Sequence, residues 1–461
     1  MTATFAPFER MMREAGLPDV AVRSFAAAFE ALVTGASGTL SQREIEPVDT
    51  VPDAAALGDL RGRGVEALPR TVVIKLNGGL GTSMGMTRAK SLLVVKDGLS
   101  FLDVIAHQMV RLRERHGVAV PLVLMNSFRT RADSLAVLAR YGKLSGPLAP
   151  DFLQHKVPRI AAAELAPVRW PKQPEHEWCP PGHGDIYPAL LSSGELDAML
   201  AAGYRTAFVS NSDNLGAVLD LALLGWFVET RAPFAMEVKQ RTHADRKGGH
   251  LARSRTGRLT LREVAQCPKD ELGSFEDVSR WRFFNTNNLW VDLEALRDAL
   301  ASCDGVLPLP LIRNEKPVDP EDPASPRVIQ LETAMGAAIA LFDGAEAVRV
   351  PDERFAPVKT TADLLRVRSD AYRRDADERV VPAPGGLGGA IAIELDAAHF
   401  RSVADLERRT PHGPPSLVGC RRLVVRGDVR FGGGVVIEGD VTLEAPRGGR
   451  LEVPDGERLR G

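Results

Sequence analysis

Four short runs of β-branched and apolar residues, at 71–76, 120–125, 206–210 and 234–238, recur along the chain, separated by segments with helical patterning such as 219–227. Strands that alternate with helices are covered on both faces, so this order of elements restricts the fold to an α/β class with a doubly wound, mainly parallel sheet. Ligands of such sheets gather beyond the carboxyl ends of the strands. Residues 75–91 and 210–216 follow strands and therefore become the places to look for chemistry.

Composition narrows what that chemistry can be. The 58 Lys and Arg against 60 Asp and Glu leave a net charge of −2, so no global basic field draws the chain to nucleic acid, and any polyanion it binds is expected to be small and held locally. The four cysteines, Cys179, Cys267, Cys303 and Cys420, lack the close pairs of a zinc site or a disulfide scaffold. Charges at Glu9, Arg10, Arg13 and Glu14, and the lack of a run approaching about 18 uninterrupted apolar residues, lead to the expectation of a cytoplasmic protein without membrane contact.

Three regions differ in pattern. Residues 1–60 read as an N-terminal helical segment, with Val22, Phe25, Phe29, Leu32 and Val33 at helical spacing. Residues 61–380 hold the strand and helix alternation. In 381–461, after a Pro- and Gly-bearing linker, Val425, Phe431, Ile437 and Leu443 recur every six residues, as do Val429, Val435 and Val441, the pattern of a short parallel β-helix. So few coils leave an end that needs covering, either by self-association through the tail or by docking on the chain's own sheet domain.

Directly after the first strand-like run the sequence reads Lys75-Leu76-Asn77-Gly78-Gly79-Leu80-Gly81-Thr82-Ser83-Met84-Gly85-Met86-Thr87-Arg88-Ala89-Lys90-Ser91. Glycines there let the backbone approach a ligand, and successive N–H groups with a following lysine can bind phosphate oxygens. A Walker A loop is excluded because Ala89 stands where glycine must precede the lysine, and no G-x-G-x-x-G frame fits Gly79, Gly81 and Gly85. Ordinary ATPases and dinucleotide-dependent dehydrogenases are thereby disfavoured.

The string at 75–85 resembles the nucleotide-binding loop of the eukaryotic-type UTP–glucose-1-phosphate uridylyltransferases, the UDP-glucose pyrophosphorylases. The resemblance continues, in the same order, through 97–103, 121–128, 180–187, 208–216, 284–290, 330–334 and 357–365. The tail repeat is similar to that family's C-terminal left-handed β-helix. One departure lies in the main motif: Arg88-Ala89-Lys90 stands where the family shows Gly-Pro-Lys, so the cation is kept but the stiffening proline is not.

The resemblance implies a Rossmann-like nucleotidyltransferase domain at 61–380 that joins UTP to glucose 1-phosphate, giving UDP-glucose and pyrophosphate, with Mg²⁺ as cofactor. It implies Lys90 and Lys359 as the catalytic cations on the phosphates, and Asp213 as the metal ligand. Uracil recognition would use the backbone from Leu76 through Asn77, Gly78 and Gly79, with Gln154 and Gly182. The sugar phosphate would meet Gly79, His183, Asn211, Asp213 and Asn287. Two neighbouring readings share these motifs: a broader UDP-sugar or UDP-N-acetylhexosamine pyrophosphorylase, and a nucleotide-sugar binding protein weakened in catalysis by the altered approach to Lys90. The blocks at 285–290 and 330–334 favour glucose.

Overall fold

The computed structural model describes residues 4–35 and 38–461. Helices α1 (Ala6–Glu14) and α2 (Asp19–Val33) open it, packing Phe8, Met12, Phe25 and Phe29 into one core with Ile329 and Leu331. The helical reading of residues 1–60 holds over Ala6–Glu14 and Asp19–Val33 but fails over 38–53, which carry no helix. Strand β1 (Ile45–Pro47) leaves the segment and pairs antiparallel with 252–254, at the edge of the main sheet.

Strand β2 (Thr71–Asn77) is buried along its whole length, as a strand covered on both faces must be. Helix α3 (Phe101–His116) follows. Its start is fixed by a reciprocal cap between Ser100 and Asp103, and its stop by Gly117 in the left-handed region. Strands β3 (Leu122–Asn126), β4 (Asp151–Leu153) and β5 (Thr206–Asn211) come next, then helix α4 (Leu221–Thr230), capped by the Asp220 carboxylate. Strands β6 (Phe234–Gln240), β7 (His250–Ser254), β8 (Leu259–Arg262), β9 (Phe283–Asp292), β10 (Arg327–Thr333) and β11 (Glu346–Arg349) complete this part.

The central order is β4-β3-β2-β5-β9-β6-β11, and β9 alone in that order runs against its neighbours; β1, β7 and β8 extend one side, while β10 belongs to a small separate sheet. Val72, Ile74 and Leu76 enter the core on one face, and Val73 joins Leu102, Ile105 and Phe208 on the other. In register, Leu76 sits opposite Asn211 and Asn77 opposite Asn126. The carboxyl ends of β2, β3 and β5 are thus level, and the loops that follow them meet.

Beyond helix α5 (Thr361–Arg368) come β12 (Ala392–Leu395), helix α6 (Val403–Arg409), β13 (Cys420–Arg426), β14 (Asp428–Phe431), β15 (Val436–Glu444), β16 (Arg450–Val453) and β17 (Arg458–Arg460). Strands β12, β13, β15 and β17 pair in parallel in that order, and β14 pairs in parallel with β16. The six-spaced residues from Val425 to Leu443 share one core with Met84, Leu93 and Phe101 of the sheet domain and Leu364 and Leu365 of α5.

Candidate active site

The glycine segment leaves β2 and folds back on itself. Gly81 and Gly85 take φ of 65° and 72°, which glycine adopts without strain, and the Lys90 N–H donates to the Gly79 carbonyl at 3.0 Å. The carbonyl groups of Leu76 and Gly78 are also engaged, by the Ser212 N–H at 3.0 Å and the Ser127 hydroxyl at 3.0 Å. The N–H groups of Gly78, Gly79, Leu80 and Gly81 donate to no partner among the described residues. Unpaired amides on a strand-to-loop turn form a concave donor set for anionic oxygens. A Cβ at Gly79 would meet nothing within 4 Å, so this position opens onto the cleft.

Asn77 serves the scaffold through its side chain. Its amide donates to Asn126 Oδ1 (2.7 Å) and Ser134 Oγ (2.8 Å), and its oxygen accepts from the Ser212 hydroxyl (3.0 Å). This buried network ties the loops after β2, β3 and β5 into one unit, leaving only the Asn77 backbone for a ligand.

Across the loop, Lys90 Nζ lies 2.6 Å from Asp213 Oδ2, with both side chains only partly exposed. Residues 211–214 cap no helix; the next helix starts at Leu221 on Asp220. They form a turn on which a distant segment docks. Asn214 accepts from the Ala356 N–H (2.9 Å), and the Asp213 carbonyl accepts from the Val358 N–H (3.3 Å). Lys359 is the next residue. Its side chain is exposed, with the ammonium 5.7 Å from the Phe355 ring centroid.

That docking rests on a buried pair that sequence reading missed. Glu237 accepts from Arg354 Nε (2.8 Å) and Nη2 (2.7 Å), from Trp290 Nε1 (3.0 Å) and from the Asn288 amide (2.9 Å). Every carboxylate oxygen is satisfied, which is the condition under which a buried ion pair is tolerated. The available signal was a lone glutamate inside the otherwise apolar start of β6, Phe234-Ala235-Met236-Glu237-Val238.

Gln154 closes the opposite end of the cleft. Its amide donates to the Gly182 carbonyl at 2.9 Å, and a Cβ at Gly78 would stand 2.5 Å from its Oε1, so only glycine admits this approach. Gly182 itself has φ 83° against the backbone of Thr333.

His183 follows. The Met335 N–H donates to its Nδ1 at 3.0 Å, and burial pushes its pKa down to about 4. The ring is therefore neutral with its proton on Nε2, a donor rather than a charge.

Asn287 occupies a break in β9 where the register with β6 shifts, and it holds φ 57°, a conformation that non-glycine residues seldom take. Its N–H donates to Asn285 Oδ1 (2.8 Å), and its own Oδ1 accepts from the Asn285 amide (2.9 Å). Asn285 also contacts Glu263, whose carboxyl is pushed up by burial and held down by the attraction of Lys359. Asn211, level with Leu76, has no side-chain hydrogen bond among the described residues. Contacts join Gly79, the Lys90–Asp213 pair and the 356–359 segment along one side of the candidate site, and Gln154, Gly182 and His183, through Thr333 and Met335, along another. The carboxylate of Asp213 is the site's candidate metal ligand. No group of three or more His, Cys, Asp or Glu able to hold a metal exists among the described residues.

A family profile described as UTP–glucose-1-phosphate uridylyltransferase matches residues 22–438. The protein of that name from Solanum tuberosum is 43% identical over 391 residues, spanning 84% of this chain and 80% of its own. The one from Saccharomyces cerevisiae is 40% identical over 396 residues, spanning 86% and 78%. Among solved structures, UDP-glucose pyrophosphorylase from Leishmania major, described in open and closed forms, matches with a TM-score of 0.92 at 44% identity, covering 100% of this chain and 98% of its own. A variant of the Leishmania protein in complex with UDP-glucose gives 0.91 at 43% identity over the same shares. The fold and the cleft, set beside these relatives, define a nucleotidyltransferase. The chain belongs to the UTP–glucose-1-phosphate uridylyltransferase family.

Proposed function

We propose that the chain makes UDP-glucose and pyrophosphate from UTP and glucose 1-phosphate. The observation that carries this reading is the set of unpaired glycine-loop amides beside the Lys90–Asp213 pair, with Lys359 brought in by the 354–358 segment. A phosphate oxygen of glucose 1-phosphate attacks the α-phosphorus of UTP. The bond to the bridging oxygen breaks, and pyrophosphate leaves with its electron pair. The nucleophile is already ionised at neutral pH, so no general base is needed.

What the chain must supply is positioning and positive charge. Lys90 and the loop amides hold the triphosphate, and Lys359 neutralises charge on the reacting groups. A cation about 4 Å from a phosphate charge is worth about 4 kcal/mol at an effective dielectric near 20, or about three powers of ten in rate if it acts only in the transition state. Gln154, Gly182 and the 76–79 backbone take the uracil edge. His183 donates through Nε2 to the sugar phosphate, with Asn211 and Asn287 on the hexose and Gly79 leaving room for the ring.

Asp213 is the residue that would hold Mg²⁺. One partly exposed carboxylate, its second oxygen free of hydrogen bonds among the described residues, suits a hard cation that draws its other ligands from phosphate and water. Such an ion adds charge neutralisation on the phosphates. Residues 61–380 would then be the catalytic domain, and the parallel strands β12 to β17 the coils of a β-helix.

The test is an assay of pyrophosphate release with UTP, glucose 1-phosphate and Mg²⁺, with TTP, ATP and N-acetylglucosamine 1-phosphate in parallel. Faster turnover of N-acetylglucosamine 1-phosphate than of glucose 1-phosphate would replace this reading with the broader hexosamine one.

A further inference from the structure

Lys75 is a buried charge that the substrate cleft does not use. It is 2% exposed, and its ammonium donates to Ser210 Oγ (2.7 Å) and to the Ala217 carbonyl (2.5 Å), both neutral acceptors. The carboxylate that attracts it, Glu237, is already held by both arms of Arg354. Burial first, and Arg354 second, push its pKa down to about 7. A buried ammonium without its own counter-ion is costly, and the surroundings of Lys75 suggest what balances it.

Its side chain borders a cavity of about 110 Å³ between α3, the 217–221 turn into α4, residue Arg61 and the 377–379 segment. Arg61, Arg111, Arg115, His116 and Arg379 line the walls, against Asp220 and Asp377. Neither carboxylate is free: Asp220 accepts from the Ala222 and Leu223 N–H groups, and Asp377 is paired with Arg115. Among the described residues the side chains of Arg61 and His116 make no hydrogen bond or ion pair. None of Lys90, Asp213, Gln154, His183, Asn287 or Lys359 lines this space. We propose that the cavity is a second anion site, separate from the substrate cleft, that takes a phosphate-class oxyanion between Arg61 and Lys75. The volume exceeds what several waters need, and guanidinium groups bind tetrahedral oxyanions through paired N–H donors.

The experiment uses the full chain carrying Lys90→Ala and Lys359→Ala, which removes both ammonium groups of the substrate cleft. Orthophosphate is titrated calorimetrically at constant ionic strength, with sulfate as a second probe. The expected result is one saturable site for both anions. Adding Arg61→Ala should weaken it by at least about tenfold, the effect of one lost hydrogen bond to a charged group. Arg61 is exposed and unpaired, so this substitution leaves the fold intact, which circular dichroism checks. No saturable binding in the double variant, or binding indifferent to Arg61→Ala, overturns the proposal.

Discussion

Lys90 and Lys359 are held differently, and the difference decides what each substitution does. Lys90 is pinned to Asp213, so Lys90→Ala also strips that carboxylate of its ion-pair partner. Lys359 is exposed, and among the described residues its ammonium meets the Phe355 ring and the attraction of Glu263 but no ion-pair partner at contact distance. Lys359→Ala should therefore keep its melting temperature within a few degrees while kcat falls by about two orders of magnitude or more, the loss of one phosphate cation; single-turnover rates and a thermal melt read the two quantities separately. His183 carries a pH signature of another kind. Its folded pKa, about 4, lies below the ordinary value near 6.5. The unfolded chain thus binds the proton first, and the stability conferred by the neutral ring is fully present above about 6.5 and lost as pH falls towards about 4. Urea midpoints compared at pH 7 and pH 4.5 should fall further in the parent protein than in His183→Gln.

Elements turn these residues into a site, and here close packing leaves little slack. A Cβ at Gly216 would stand 2.0 Å from the Glu353 carbonyl. Gly216→Ala must push the 353–358 segment off the 211–216 turn, and the expected result is a fall in kcat with uridine nucleotide affinity largely kept, measured by nucleotide titration alongside turnover. Asn287 offers a cleaner contrast, because its φ of 57° suits glycine. Asn287→Gly should fold normally and lose sugar-phosphate affinity, whereas Asn287→Val should also lose about 1–3 kcal/mol of stability by denaturant melt. The glycine loop and the lysine after it were legible from local spacing, a strand, then glycines, then a cation, whereas Asp213 came forward only through the resemblance to a known family. The pairing of Glu237 with Arg354 was not, since it joins residues 117 apart and no local pattern sets their distance. The strand at Ile45–Pro47 was hidden for a similar reason, being too short to show a period and stabilised by a partner at 252–254. The inward side-chain role of Asn77 needed the register of β2 with β3 and β5.

At the scale of the molecule, the chain folds its tail onto its own catalytic apparatus. Met84 under the glycine loop and Leu364 and Leu365 of α5, the helix next to Lys359, share one core with Phe431, Ile437 and the other six-spaced residues, and a Cβ at Gly85 would lie 2.9 Å from the Ser402 side chain. Phe431 is fully buried there. Phe431→Ala should cost about 3–5 kcal/mol, and turnover at 25 °C should drop along with the melting temperature; a melt and an assay on one preparation check both. No described helix is long and apolar enough to cross a membrane. The parallel strands of the tail thus act as a bench, sharing one core with the glycine-loop side and the α5 side of the candidate site. A mutational survey that scored only positions lining the cleft would file tail substitutions as bystanders, yet some of them will behave as active-site lesions, with every ligand-facing side chain unchanged and merely aimed wrong.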